Sequence, residues 1–131
     1  MEMTTKHLFV YGTLCREGGA HRLLEAAAEF VDRARVSGRL FDLGPFPCMI
    51  DGGSNHQGWV RGEVFRITCP KLLDRLDHYE DAGRHQDHLY RRVVRHALTD
   101  QGDGLDTWVY LFAGPLPEEA REILSGQWPK R

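Results

Sequence analysis

The chain reads as a mixed α/β domain, a small curled β-barrel of about six strands flanked by helices. Three observations predict this. Short runs with strand composition or alternation recur along the chain, and stretches with helical spacing are fewer. The helical stretches are interspersed among the strands. Most strand runs lie close enough in sequence to pair antiparallel.

The first strand is the apolar run Leu8-Phe9-Val10, which stops at Gly12. Tyr11-Gly12-Thr13-Leu14 then passes into a loop, with Gly18-Gly19 before the next element. Such a loop leaves backbone N–H groups outside any ladder, and Gly12 lacks the Cβ that holds a ligand off. That is the chemistry of a cradle for a small anion or carboxylate. An ordinary strand end is the plainer reading, and spacing alone favours it.

Ala20 to Phe30 carries Leu23, Leu24, Ala27 and Ala28 at helical spacing, so a helix is expected there. Val31 to Leu43 alternates imperfectly, with Val36, Gly38 and Leu40 on one parity, and reads as a strand that Gly44-Pro45-Phe46-Pro47 ends. Cys48-Met49-Ile50 is a short apolar piece, followed by the turn cluster Asp51 to Asn55. His56 to Thr68 has the best strand pattern. Gly62 in its middle weakens it unless a ring or backbone packs close by.

Thr68-Cys69-Pro70 opens a helix, with Leu72, Leu73, Leu76 and Tyr79 or Glu80 on one face. Asp81 to His88 is a polar loop. Leu89 to Leu98 and Thr107 to Phe112 are strands, joined through the hairpin-type segment Thr99 to Leu105. Glu118 to Leu124 is compatible with a short helix whose acidic first turn suits the dipole.

With 131 residues the chain is expected to form one domain over 1–131, large enough to build a core without metal or disulfide staples. A formal net charge of −2 argues against general affinity for nucleic acid or anionic membrane. The cysteines, Cys15, Cys48 and Cys69, are odd in number and form no Cys-x-x-Cys pair, which fits a reducing cytoplasm better than a disulfide framework. No run approaches a membrane span or a secretory leader. A monomer or weak homodimer is expected.

Glu80 is the residue of most chemical interest. It falls on the apolar side of its helix, near the C-terminal end, where desolvation and the helix dipole both raise a carboxyl's pKa towards neutrality. A carboxyl so tuned can move protons at pH 7. The alternative, that Glu80 ends the helix and points to water beside Asp81, is equally compatible with the spacing. His78, His85 and His88 crowd one region with Asp77, Asp81 and Asp87, yet match no familiar zinc spacing; a solvated loop is the plainer reading. Cys15 lies just past the glycine loop, and the sequence shows no base to activate it. Arg91, Arg92, Arg95 and His96 form a cationic strand segment that can grip a carboxylate or simply face water. Tyr90, Trp108 and Tyr110 are core or sheet-face residues, and Tyr110 has a hydroxyl to offer a pocket.

Four ordered blocks give the chain a resemblance to the γ-glutamylcyclotransferase-like, or AIG2-like, family. They are Val10-Tyr11-Gly12-Thr13-Leu14; Gly38-Arg39-Leu40-Phe41-Asp42-Leu43-Gly44 with Pro47; Val60-Arg61-Gly62-Glu63-Val64-Phe65 followed by Leu76-Asp77-His78-Tyr79-Glu80; and Tyr90-Arg91-Arg92 followed by Trp108-Val109-Tyr110-Leu111. Ser125-Gly126-Gln127-Trp128 looks like the family's usual ending. The resemblance implies a small β-barrel flanked by helices. It implies that the loop at Tyr11, Gly12, Thr13 and Leu14 binds the γ-glutamyl part of the substrate, and that Glu80 is the catalytic acid/base. Tyr90 and Tyr110 complete the substrate-binding candidates. Members release 5-oxoproline from γ-glutamyl amino acids or γ-glutamylamines, and no metal or cofactor is needed. The chain departs from the pattern at Asp81, where many members have glycine, and in the histidine-rich loop that follows. Those departures keep open a non-catalytic module that binds a small carboxylate in the same pocket.

Overall fold

β1 (His7–Val10) is buried on both faces, which is why its sequence is an unbroken apolar run rather than an alternating one. Phe9, and Tyr11 just beyond it, belong to one buried cluster, while Leu8 and Val10 belong to another. In the computed structural model the described residues are 5–12, 14–16, 21–44, 47–51, 58–79 and 90–128. Among them are β2 (Ala28–Ser37), β3 (Arg39–Asp42), β4 (Pro47–Ile50), β5 (Trp59–Ile67), α1 (Leu72–Tyr79), β6 (Tyr90–Thr99), β7 (Gly104–Phe112) and β8 (Arg121–Glu122).

Five strands close into a barrel in the order β1-β5-β2-β6-β7, and β4-β3-β8 form a second sheet. Neighbours in the barrel run antiparallel, except that β7 returns to β1 in parallel at Leu8 and Trp108. Phe9, Ala34, Val36, Val60, Val64, Ala97, Val109 and Leu111 fill the barrel's core, joined by Leu40 and Met49 from the second sheet and by Ile123 just after β8. A second cluster joins α1 to the barrel through Leu72 and Leu76 against Leu8, Val10, Phe65 and Tyr110. The expected small mixed α/β barrel is therefore the architecture found. The described residues hold eight strands, because the strand expected over 31–43 is divided between β2 and β3, and β8 is an additional short piece.

Three local expectations change. The helix expected over Ala20 to Phe30 is not formed by the described part of that stretch. His21–Leu23 is a single 3₁₀ turn, and the following turns close through Leu24 N–H to His21 O at 2.8 Å and Ala27 N–H to Leu24 O at 2.9 Å. From Ala28 onward the backbone pairs with β5, beginning at Ile67. A short isolated helix is marginal, and the long-range ladder wins over local spacing. The apolar positions still face inward, for Leu24 and Ala27 are buried.

The strand expected over 31–43 divides at Gly38, where the chain leaves the barrel for the second sheet. A Cβ on Gly38 would stand 2.7 Å from Met49 Cε and 3.0 Å from Ile50 O, so only glycine permits this crossing without displacing its neighbours. Pro47 does not terminate a strand but begins one, a position where a missing N–H costs no ladder bond. The helix compatible with Glu118 to Leu124 is replaced by β8. Arg121 and Glu122 pair with Asp42 and Phe41, Glu122 holds Arg39 in a two-pronged contact, and Ile123 is buried.

Candidate active site

The loop that follows β1 is tied down at several points. Cys15 N–H donates to Gly12 O at 3.0 Å, closing a tight turn. The Cys15 thiol lies 3.4 Å from Val10 O, and a ring nitrogen of His21 lies 3.0 Å from Leu14 O. Leu14 is buried in the cluster that holds α1. Arg16 donates its backbone N–H to Glu63 Oε1 at 2.8 Å and its Nε–H to Oε2 at 3.2 Å. Thus the N–H groups of Cys15 and Arg16 are engaged. Those of Gly12 and Leu14 have no hydrogen-bond partner among the described residues. The side of Gly12 where a Cβ would project is occupied by Pro47, whose Cγ would be 3.0 Å away. Gly12 therefore serves close packing against β4. Thr13 lies outside the described residues.

The second part of the site is the last turn of α1. Leu72 and Leu76 hold the helix on the barrel, and Asp77 stands one residue further on. Arg92 on β6 donates to both Asp77 oxygens, at 2.7 Å from Nε and 2.9 Å from the terminal nitrogen. The Tyr110 hydroxyl donates to Asp77 Oδ1 at 2.6 Å. The hydrogen bond to Asp77 raises the Arg92 pKa above its ordinary value, against the opposing pull of burial. Arg92 also lies over the Trp108 ring, 4.6 Å from its centroid, and Trp108 donates its indole N–H to Thr5 O. Leu14, Leu76 and Tyr110 share one buried cluster, so the glycine loop and the end of α1 lie on the same side of the barrel. Glu80, one residue past α1, is outside the described residues.

The structure brings together Leu14 and Tyr110, and it uses the tyrosines differently. Tyr11 is buried in the barrel core; its hydroxyl donates to Tyr110 O at 2.7 Å and accepts Met49 N–H. Tyr90 opens β6 and meets Phe112 edge-on at 5.6 Å. Of the cationic strand segment, Arg92 does grip a carboxylate, that of Asp77, and Arg95 pairs with Asp51. Cys15 is pushed up to about 12, first by burial and then by the nearby Glu63 carboxylate, so its thiol stays protonated at neutral pH. Burial pushes Cys48 up to about 12 as well. Among the described residues no group of His, Cys, Asp and Glu is placed to hold a metal ion; His85 and His88 lie outside them.

Sequence reading singled out neither Asp77 as a fastening point nor Glu63 as a clamp. Asp77 and Tyr110 are 33 residues apart, and Arg16 and Glu63 are 47 apart. No local spacing signals such pairs.

Comparison with known proteins follows the same lines. YkqA from Bacillus subtilis superposes with a TM-score of 0.72 at 26% identity, over 95% of this chain and 40% of YkqA. The chain thus spans well under half the length of that protein. An AIG2-like protein from Mus musculus superposes with a TM-score of 0.71 at 28% identity, over 88% of this chain and 82% of the mouse protein. A gamma-glutamyl cyclotransferase superposes with a TM-score of 0.63 at 19% identity, over 82% of this chain and 66% of its own, a likeness of fold alone. No curated protein matches the chain. Residues 8–130 match the family described as gamma-glutamyl cyclotransferase, AIG2-like, and the chain belongs to that family.

Proposed function

We propose that the chain is a γ-glutamyl cyclotransferase that releases 5-oxoproline from a γ-glutamyl amino acid or γ-glutamylamine, with Glu80 as general acid/base. The substrate carries its own nucleophile. Its α-amine attacks the γ-carbonyl, a C–N bond forms and closes a five-membered ring, and the original amide C–N bond breaks. One proton leaves the α-amine and one reaches the departing amine, so a single carboxyl can serve both transfers. Holding the substrate in its folded geometry is worth up to ~7–11 kcal/mol, and proton transfer about 10²–10⁴-fold.

The observation that carries this reading is the pair of amides at Gly12 and Leu14 that have no hydrogen-bond partner among the described residues. They lie on a loop that shares its buried cluster with the last turn of α1, in a chain of this family. Two such donors suit the substrate's carboxylate. Asp77 supports the reading too. It ties the end of α1 to β6 and β7, three residues before Glu80 in sequence.

The test is release of 5-oxoproline from a panel of γ-glutamyl amino acids, γ-glutamylamines and glutathione. Turnover of at least one class is expected, and Glu80→Gln lowers kcat by about 10²–10⁴-fold without unfolding the protein. Full activity in Glu80→Gln removes Glu80 from the mechanism. No turnover, with binding of a γ-glutamyl compound retained, makes the chain a carboxylate-binding module instead.

A further inference from the structure

Glu63 stands on β5 opposite Val10, the last residue of β1. Its side chain reaches the far end of the loop that β1 opens, where both carboxylate oxygens accept from Arg16. A single residue of the barrel wall therefore holds both ends of segment 11–15, one end through its place in the ladder and the other through its carboxylate. Two further contacts stiffen this arrangement. The Glu63 side chain is 13% exposed and that of Arg16 42%, so the carboxylate end of the clamp is the shielded one. The Arg16 guanidinium sits 3.6 Å above the Phe30 ring, which gives the arginine a fixed direction. Between the tied ends, the Gly12 and Leu14 N–H groups have no hydrogen-bond partner among the described residues.

We propose that Glu63 is a positioning residue of the reaction: by clamping Arg16 it sets the direction of the Gly12 and Leu14 N–H groups and so the affinity for the substrate's carboxylate. The proposal rests on the cyclotransferase reading. Glu63 touches no reacting atom in it, and its carboxylate is already committed to Arg16. Its loss therefore acts on KM, because the amides it orients hold a group that does not change during ring closure.

The test uses Glu63→Ala, Glu63→Gln and Arg16→Ala in the full chain, with two measurements on each sample. The first is steady-state kinetics on the best substrate of the panel. The second is the pH profile of Cys15 alkylation by iodoacetamide, followed on the Cys15 peptide by mass spectrometry. Glu63 and Arg16 are the charged groups acting on that thiol, in opposite directions. In Glu63→Ala, KM rises about 10–100-fold while kcat stays within about 3-fold, as expected when binding geometry alone is lost. Alkylation of Cys15 begins at lower pH in the same protein. Glu63→Gln, which keeps an acceptor for the Arg16 N–H, recovers most of the affinity. Arg16→Ala keeps that backbone contact and raises KM less.

Unchanged KM in a folded Glu63→Ala overturns the positioning role whether or not the Cys15 profile moves, since burial is the larger influence on that thiol. That result leaves the cyclotransferase reading standing. A wild-type chain with no turnover on the panel overturns both, and is seen before any variant is compared. Should Glu63→Ala fail to fold, unchanged KM in both Glu63→Gln and Arg16→Ala overturns the proposal equally.

Discussion

Gly62→Ala separates two explanations of a glycine in mid-strand. β5 is the strand between β1 and β2, and Gly62 lies on it beside Glu63. A Cβ there would stand 2.1 Å from Val10 O and 2.7 Å from Phe9 Cζ. The ring can give a little, but the carbonyl belongs to the last ladder residue of β1 and cannot rotate away. Ordinary contact lies near 3.4 Å, so β1 and β5 must part by about 1 Å where the candidate loop begins. Overpacking of this kind costs about 1–3 kcal/mol, and a weakened ladder bond adds about 1 kcal/mol. Alanine's stiffer unfolded chain returns about 0.4–1 kcal/mol. The net loss is about 2 kcal/mol, which for a domain of this size lowers Tm by roughly 6–10 °C. Thermal unfolding followed by circular dichroism checks it. A variant that melts within about 2 °C of wild type refutes the close approach of strand and strand.

Asp77→Asn leaves the Arg92 guanidinium without its charged partner and weakens the acceptor of the Tyr110 hydroxyl; about 1–3 kcal/mol of stability is lost by urea titration, and kcat falls if the end of α1 carries the catalytic carboxyl. His7 is held below its usual pKa of 6.5, first by burial and then by the Arg66 charge, so the folded chain disfavours its proton. The unfolded chain takes up that proton as pH falls below 6.5. The contribution is therefore whole above 6.5 and is lost as pH drops towards the folded value. His7→Gln flattens that part of the stability–pH curve, and an unchanged slope counts against the assignment.

Much of the strand framework was legible because burial leaves a mark on a strand's own residues. Leu8-Phe9-Val10 is apolar without alternation because β1 is covered on both sides. Val60 and Val64 face the core of β5, and Gly62 stands between them because a carbonyl and a ring close in on it. α1 was legible in the same way, with Leu72 and Leu76 completely buried. The misread pieces are those in which local spacing and distant pairing compete. Leu23, Leu24, Ala27 and Ala28 have helical spacing, but β5 takes the backbone from Ala28 onward. Glu118 to Leu124 has a helix-like first turn, but β3 draws Arg121 and Glu122 into a sheet.

By itself, then, the sequence determined which segments must be hidden, where glycine and proline interrupt them, and which family the ordered motifs belong to. All of these are written in short spacings along one chain. Only the tertiary structure decided that Glu63 reaches back to Arg16 and that Asp77 joins Arg92 to Tyr110. It alone decided, too, that Pro47 fills the space beside Gly12. The physical reason is that a carboxylate's partner is whatever the closed barrel brings within hydrogen-bonding distance, and barrel closure joins residues far apart in the chain. The pattern of burial is a property of segments, whereas the site is a property of their meeting.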